Sequence, residues 1–335
     1  MRRRVPLGLD RSLTSNGLSL PTAGQVAAAR DNIRPFALRT PLVKLNVDLP
    51  GANIFLKLEN LQPWGSFKIR PALNALKSLD PKRLSRGVLS ASSGNFGQGL
   101  AYAARQMGVP ATLVVPDAAA QTKVNALIEL GANVLRLPFD EWWTVLTSRR
   151  CAGEEGLFIH PVAEAPVLAG NATIGAEILE DLPGCDAVAV PFGGGGLICG
   201  IGSVMRRLKP AVRMVLVESE AAQPAAAALK NGGPVRVPHL KSFVDGMGST
   251  MVLEEMWPLL RQVADQTACV SFAQIADAVR LLAGRHHVVA EAAGAASLAA
   301  ALAGLAGTGN IVCIISGGNI DAAKLGAILD GQSPF

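Results

Sequence analysis

Four consecutive glycines, Gly193–Gly196, stand between a short apolar run, Ala187–Val190, and a helical pattern over Ile198–Leu208. Residues without a Cβ let several backbone N–H groups converge on one anion, and the N-terminus of a following helix adds partial positive charge, so the segment suits a phosphate. A tight strand-to-helix turn would use the same residues. Glu218 follows Gly196 by 218 − 196 = 22 residues, near the spacing of a ribose-binding acid. The glycines do not fit a dinucleotide, however: G-x-G-x-x-G begun at Gly193 or Gly194 would need glycine in place of Ile198 or Cys199, and no P-loop Lys–Ser/Thr is present. A single phosphate group is the better match.

Three further segments offer chemistry. Lys68 follows Gln62-Pro-Trp-Gly65, Ser66 and Phe67, and among Phe67, Ile69 and Pro71 its ammonium form is disfavoured by desolvation. The neutral amine attacks carbonyls to give Schiff bases; a lysine snorkelling at the surface is the plainer alternative. Ser92-Ser-Gly-Asn-Phe-Gly97 joins an apolar run to a helical pattern and offers hydroxyls, an amide and free N–H groups to an anionic oxygen, although helix capping would also use a serine. Ser316-Gly-Gly-Asn319 follows the run Ile311–Ile315 and places a hydroxyl at a strand end, where open α/β sheets bind ligands. A phosphate cradle, a desolvated lysine, an oxyanion-type loop and a strand-end hydroxyl together point to an aldehyde cofactor carrying a phosphate.

The elements that must position these segments alternate. Ile54–Leu58, Val88–Ser90, Ala111–Val115, Val134–Leu137, Ala187–Val190, Met214–Val217 and Ile311–Ile315 read as strands. Phe67–Leu79, Gly97–Met107, Gln121–Leu130, Ile174–Glu180, Ile198–Leu208 and Ile275–Ala283 read as helices, which predicts an α/β fold with parallel sheets covered by helices. Asn231–Lys241 reads as a surface loop, and residues 1–20 and the tail Gly331–Phe335 as irregular.

At 335 residues, half of them hydrophobic and 17% charged, the chain has material for about two domains and is no disordered segment. The charge-free windows Ala187–Met205 and Ala292–Gly309 are broken by glycine and proline or dominated by Ala and Gly, so they read as packed interior of a soluble protein, with no membrane partner. Arg2–Arg4 are not followed by an apolar signal-peptide core, and the five cysteines are odd in number and unclustered, which fits reduced thiols in the cytoplasm. A net charge of +5 from scattered residues, with one Tyr, gives no phosphate track or stacking platform, so nucleic acid is not expected.

Taken together, Arg39-Thr-Pro-Leu42, Lys57-Leu-Glu-Asn60, Ser66–Lys68, Ser92–Gly97, Gly193–Gly196, Asp245-Gly246, Glu291 and Ser316–Asn319, in this order, resemble the fold-type II pyridoxal-phosphate enzymes, in the threonine/serine dehydratase and serine racemase branch. The resemblance runs from about Leu20 to Leu329. It implies a tryptophan synthase β-like fold of two open, twisted, mainly parallel sheet domains, with approximate boundaries: a large cofactor-binding domain of residues 1–53 and 152–335, and a small substrate-binding domain of 54–151. It implies pyridoxal 5'-phosphate bound by Lys68, Phe67, Asn95, Gly193–Gly196, Gly246, Glu291 and Ser316, with Lys68 and Ser93 catalytic. Ser92, Ser93, Gly94, Asn95 and Phe96 would hold an amino-acid substrate. The activity implied is removal of ammonia from a β-hydroxy-α-amino acid such as L-threonine or L-serine, with racemisation through Ser93 the alternative, in a homodimer. A non-catalytic ligand-binding relative is the alternative from outside the enzymes, and it is disfavoured by the presence of Lys68, Ser93 and Ser316.

The sequence departs from the family pattern at Phe96, where serine racemases have His, at Trp143, where they have a carboxylate-binding Arg, and at Trp64. These changes raise the expectation of an apolar pocket preferring threonine or a bulkier aryl substrate, unless Trp142 and Trp143 merely cover the core; hydroxyaspartate is a further alternative. Glu218 matches one cation ligand of some relatives, but Pro224 stands where the companion Asp is expected, so no metal residue is assigned and cation dependence stays open. His160, His239, His286 and His287 show no ligand spacing. The family's biosynthetic threonine dehydratases append a regulatory domain for which this length leaves no room, so a catabolic or unregulated role is expected.

Overall fold

A computed structural model describes residues 17–332. Arg2–Arg4 and the end of the predicted irregular tail, residues 333–335, lie outside the described residues.

The chain opens with helix α1 (Ala23–Ile33), and strands β1 (Leu42–Lys44) and β2 (Ala52–Lys57) lead through two short 3-10 turns to α2 (Ile69–Lys77). A compact alternation follows: β3 (Val88–Ala91), α3 (Asn95–Met107), β4 (Ala111–Pro116), α4 (Gln121–Glu129), β5 (Asn133–Leu137), α5 (Phe139–Ser148) and β6 (Leu157–Phe158). The remainder comprises α6 (Ala165–Asp181), β7 (Ala187–Pro191), α7 (Gly196–Leu208), β8 (Arg213–Ser219), α8 (Pro224–Asn231), α9 (Trp257–Val263), β9 (Gln266–Val270), α10 (Phe272–His286), α11 (Ala292–Leu302), β10 (Gly309–Ile314) and α12 (Ala322–Leu329).

The strands form two sheets, one of six in the order β1-β2-β10-β7-β8-β9 and one of four in the order β5-β4-β3-β6. Every pairing is parallel except β1 with β2. This is the mainly parallel, two-sheet fold-type II architecture that the resemblance implies. The expected boundaries at residues 54 and 151 cut across the sheets. β2 starts before residue 54 and lies wholly in the six-stranded sheet, where Ile54 pairs with Ile311, while β6, beyond residue 151, extends the four-stranded sheet. Hydrogen-bonded register with β10 decides the place of β2.

Successive residues of a strand face opposite sides, and the central strands are apolar on both. Ala187, Ala189, Ile311 and Cys313 join a core with α10 and α11, whereas Val188, Val190, Val312 and Ile314 join one with α6, α7 and α9. The Ala-rich window at 292 is α11, buried against β7 and β10, and the window at 187 is split between β7 and α7. Among the described residues no helix is long and apolar enough to cross a membrane. The cysteines are free, and Cys269 is exposed rather than buried.

Candidate active site

A cavity of about 360 Å³ lies between the two sheets and is lined by loops that follow parallel strands. The loop after β3 brings Ser92, Gly94, Asn95 and Phe96; the loop after β7 brings Gly193–Gly196; the loop after β10 brings Ser316 and Asn319; and the segment after β6 brings Pro161 and Val162. Phe67, Lys68, Gly246 and Glu291 complete the set that the sequence singled out. Ser93 is the exception. It is half-buried, but unlike its neighbours Ser92 and Gly94 it does not line the cavity.

Lys68 sits one residue before α2, and the helix therefore starts later than the predicted Phe67. Its ammonium donates to the carbonyl of Pro161 at 3.4 Å and stands 5.0 Å and 5.6 Å from the ring centres of Phe67 and Phe96. Burial pushes its pKa down to about 8, against a smaller opposing pull from Glu291. Phe67 is fixed in turn by its N–H, which donates to the Ser316 carbonyl at 3.0 Å.

The β3 and β10 loops are laced together. Asn95 Nδ2 donates to Glu291 Oε1 at 2.7 Å, and Asn319 Nδ2 donates to Asn95 Oδ1 and to the Trp64 carbonyl, each at 2.9 Å. Burial raises the Glu291 carboxyl to about 7, opposed mainly by the Asn95 hydrogen bond. Ser92 Oγ accepts from the N–H of Gly97 in the first turn of α3 at 3.3 Å and also lines the cavity.

The glycine loop is shaped by close approach. A Cβ at Gly193 would lie 2.5 Å from the Gly246 carbonyl oxygen, and one at Gly194 would lie 2.6 Å from Val162 Cγ2. Gly195 holds φ +90, which favours glycine, and Gly196 begins α7. Directly behind Lys68, Arg70 is fully buried between Glu59 and Glu177, with Lys57 Nζ 2.6 Å from Glu177. Two positive and two negative groups thus balance at the root of α2. The sequence showed Lys57 and Glu59 only as parts of a motif and gave no sign of this network, because Arg70 and Glu177 meet across 107 residues.

A family model described as pyridoxal-phosphate dependent enzyme matches residues 33–317. The chain belongs to this family. It is 38% identical to an L-threonine ammonia-lyase of Thermotoga maritima over 92% of this chain and 78% of that protein. It is 33% identical to a catabolic L-threonine dehydratase of Staphylococcus aureus, over 95% of this chain and 96% of the other. Among solved structures, maize serine racemase superposes with a TM-score of 0.86 at 29% identity, covering 93% of this chain and 98% of that one. This fold-type II enzyme therefore sits in the threonine/serine dehydratase and serine racemase branch.

The residues present fit pyridoxal phosphate. Gly193–Gly196 line the cavity at the N-terminus of α7, where backbone N–H groups and the helix end suit a phosphate, as the family's cofactor requires. Lys68 is a buried amine within the cavity that would meet its aldehyde, and Ser316 is a neutral group at the end of β10 that would face its ring nitrogen.

Other expectations change. Trp64, Trp142 and Trp143 do not line the cavity. Trp142 packs into a small core with Leu89 and Val114, and Trp143 is partly exposed, so of the aromatic departures only Phe96 reaches the site. Glu218 is occupied as a helix cap, its oxygens accepting from the N–H groups of Ala225 at 2.7 Å and Ala226 at 3.0 Å. Among the described residues no three His, Cys, Asp or Glu side chains are grouped to hold a metal ion. Pro161, Val162 and Lys123 line the cavity without having been singled out; Lys123 reaches it from α4 and pairs with Asp245 at 3.2 Å. A lysine in the first turn of an ordinary helix carries no motif that could have marked it.

Proposed function

We propose that this enzyme is an ammonia-lyase that removes the β-hydroxyl and the amino group of L-threonine or L-serine, giving a 2-keto acid and ammonia. The observation that carries this reading is a buried lysine in the cavity, Lys68, held at a pKa of about 8, together with the uncharged Ser316 at the end of β10. The similarity to threonine ammonia-lyases and dehydratases supports it.

Pyridoxal phosphate, when bound, supplies the electron sink that acidifies the substrate Cα–H. Lys68, with its pKa near 8, has a neutral fraction at cellular pH and can take up that proton. Ser92, Asn95 and the N–H groups of their loop are suited to hold the substrate carboxylate. Ser316 carries no charge, so nothing at the end of β10 enforces protonation of the ring, which favours loss of the β-substituent over a long-lived carbanion. With Trp64, Trp142 and Trp143 away from the cavity, these tryptophans supply no aromatic wall that would favour a bulkier aryl substrate.

The test is to supply L-threonine and L-serine separately to the holoenzyme and to measure keto acid, ammonia and the enantiomer ratio. Keto acid and ammonia in equal amounts are expected. Accumulation of the D-isomer without keto acid would transfer the assignment to a racemase, the activity named for the structurally similar maize protein.

A further inference from the structure

We propose that His160 is a positioning residue for the cofactor site: its Nδ1 shapes the turn Pro161–Ala163, against which both Lys68 and the glycine loop are set. The inference rests on Lys68 and Gly193–Gly196 being the cofactor anchors, and is independent of which amino acid is the substrate.

The turn is short and carries two separate duties. His160 Nδ1 accepts from the N–H of Val162 at 3.1 Å and from that of Ala163 at 2.9 Å. Between these donors and the ring, the Pro161 carbonyl is turned toward the Lys68 ammonium. Val162 meanwhile forms the wall against the glycine loop, its Cγ2 lying 2.6 Å from where a Cβ of Gly194 would stand and its carbonyl 3.5 Å from the equivalent point at Gly196. Displacement of the turn would therefore move the hydrogen-bond acceptor of the lysine and the packing surface of the phosphate cradle together.

Both ends of the turn are pinned. Ile159 N–H donates to the Leu89 carbonyl of β3 at 2.8 Å, and Glu164 Oε1 accepts from the His160 N–H at 2.6 Å. Arg149 Nη2 donates to the Ala163 carbonyl at 3.1 Å. The middle depends on the imidazole. A nitrogen that accepts two hydrogen bonds bears no proton, so the ring is the neutral Nε2–H tautomer. Burial, with the positive charges of Arg149 and Lys68, holds its pKa down to about 3, which keeps the acceptor available at working pH. Without Nδ1, the N–H groups of Val162 and Ala163 lose their partner, a cost that the turn avoids only by rearranging.

His160 also has a ring contact, 6.3 Å between centres, with Phe158, and a pure packing role is the competing explanation. Two variants separate them. His160→Asn keeps an acceptor close to the position of Nδ1 and loses the ring, while His160→Phe keeps the ring and loses the acceptor. The readout is apoenzyme affinity for pyridoxal 5'-phosphate and for 4'-deoxypyridoxine 5'-phosphate, which cannot bond to the lysine and so reports the non-covalent binding of ring and phosphate. The expected result is affinity near that of wild type for His160→Asn, with a loss of about tenfold or more for both ligands in His160→Phe. Equal affinities in the two variants, or a tighter His160→Phe, would overturn the proposal. If His160→Phe does not fold, side-chain nitrogen NMR of the wild-type holoenzyme decides: Nδ1 should stay unprotonated from about pH 6 to pH 9, and a proton on Nδ1 refutes it. No substrate enters these measurements, so failure to turn over threonine would count against the lyase reading alone.

Discussion

Gly193→Ala perturbs the phosphate cradle at a point where the structure leaves no room and the neighbour cannot swing away. Gly193 does not hold a positive φ, so alanine brings no backbone strain and only the contact counts. The added methyl would start 2.5 Å from the carbonyl oxygen of Gly246, below the 3.0 Å that real Cβ contacts respect, so the two segments must part by at least 3.0 − 2.5 = 0.5 Å. Gly246 lines the cavity, and the separation widens the site itself. Overpacking of this kind costs about 1–3 kcal/mol, which corresponds to a loss of about fivefold to 150-fold in cofactor affinity if it falls on the bound state. Gly194→Ala is the internal comparison. Its methyl meets the Val162 side chain, and turning that side chain aside costs about 0.5–1.5 kcal/mol. Titration of each apoenzyme with pyridoxal phosphate, followed by the visible absorption of the bound cofactor, should rank the variants in that order, with thermal unfolding reporting any damage to the apo fold. Wild-type affinity in Gly193→Ala, with an unchanged midpoint, would refute the assignment of this loop as the phosphate cradle.

Lys68→Ala should abolish turnover and leave the cofactor removable by dialysis; retained activity would remove Lys68 from the mechanism. Arg70→Met leaves Glu59 and Glu177 facing only Lys57, and breaking a buried pair in this way should cost about 3–5 kcal/mol in urea unfolding; a loss below about 1 kcal/mol would show that the network is not as buried as the structure has it. Burial raises Glu291 from its ordinary range to about 7, so the folded apoenzyme binds more protons than the unfolded chain between those values. Stability should therefore fall as pH rises through that window, by up to about 3 kcal/mol from this group, and Glu291→Gln should flatten the dependence; an unchanged pH profile would contradict the raised value. Trp143→Ala should leave kcat/KM for threonine within about twofold, since Trp143 does not line the cavity; a large change in substrate preference would reinstate the aromatic pocket.

What the sequence made legible was local. The apolar runs at 187, 214 and 311 are central strands buried on both faces, and such strands announce themselves as continuous hydrophobic stretches. β9, with Gln266 and Thr267 at its start and an exposed Cys269, is an edge strand and lacks that signature, while β1 and β6 are too short to show any period. The predicted strand Ile54–Leu58 was correctly placed in the chain, yet nothing in its own residues tells which sheet it joins. Only the pairing of Ile54 with Ile311 assigns it to the larger one. In the same way α2 was expected to include Lys68, but a helix boundary depends on what receives the first N–H groups, which periodicity does not reveal.

The candidate site divides along the same line. Gly193–Gly196 and Ser316 follow β7 and β10, parallel neighbours in one sheet whose carboxyl ends share an edge, so those two motifs had to meet, whereas Ser92–Asn95 follows β3 of the other sheet and reaches them only through the packing of the two sheets. The residues that tune the motifs sit on the opposing pieces of chain: Pro161 accepts from Lys68, Val162 closes on Gly194, and Lys123 pairs with Asp245 from across the cleft. Their types are ordinary and their spacing to the motifs is set by the fold. The depressed pKa of Lys68 has the same origin. Apolar neighbours in sequence suggested desolvation, but Ile69 and Pro71 alone would not keep water from an ammonium at a helix start. The rings of Phe67 and Phe96, brought together from two separate loops, enclose it. A motif therefore reports which group will react, whereas the reactivity of that group is a property of the walls that the two sheets bring to it.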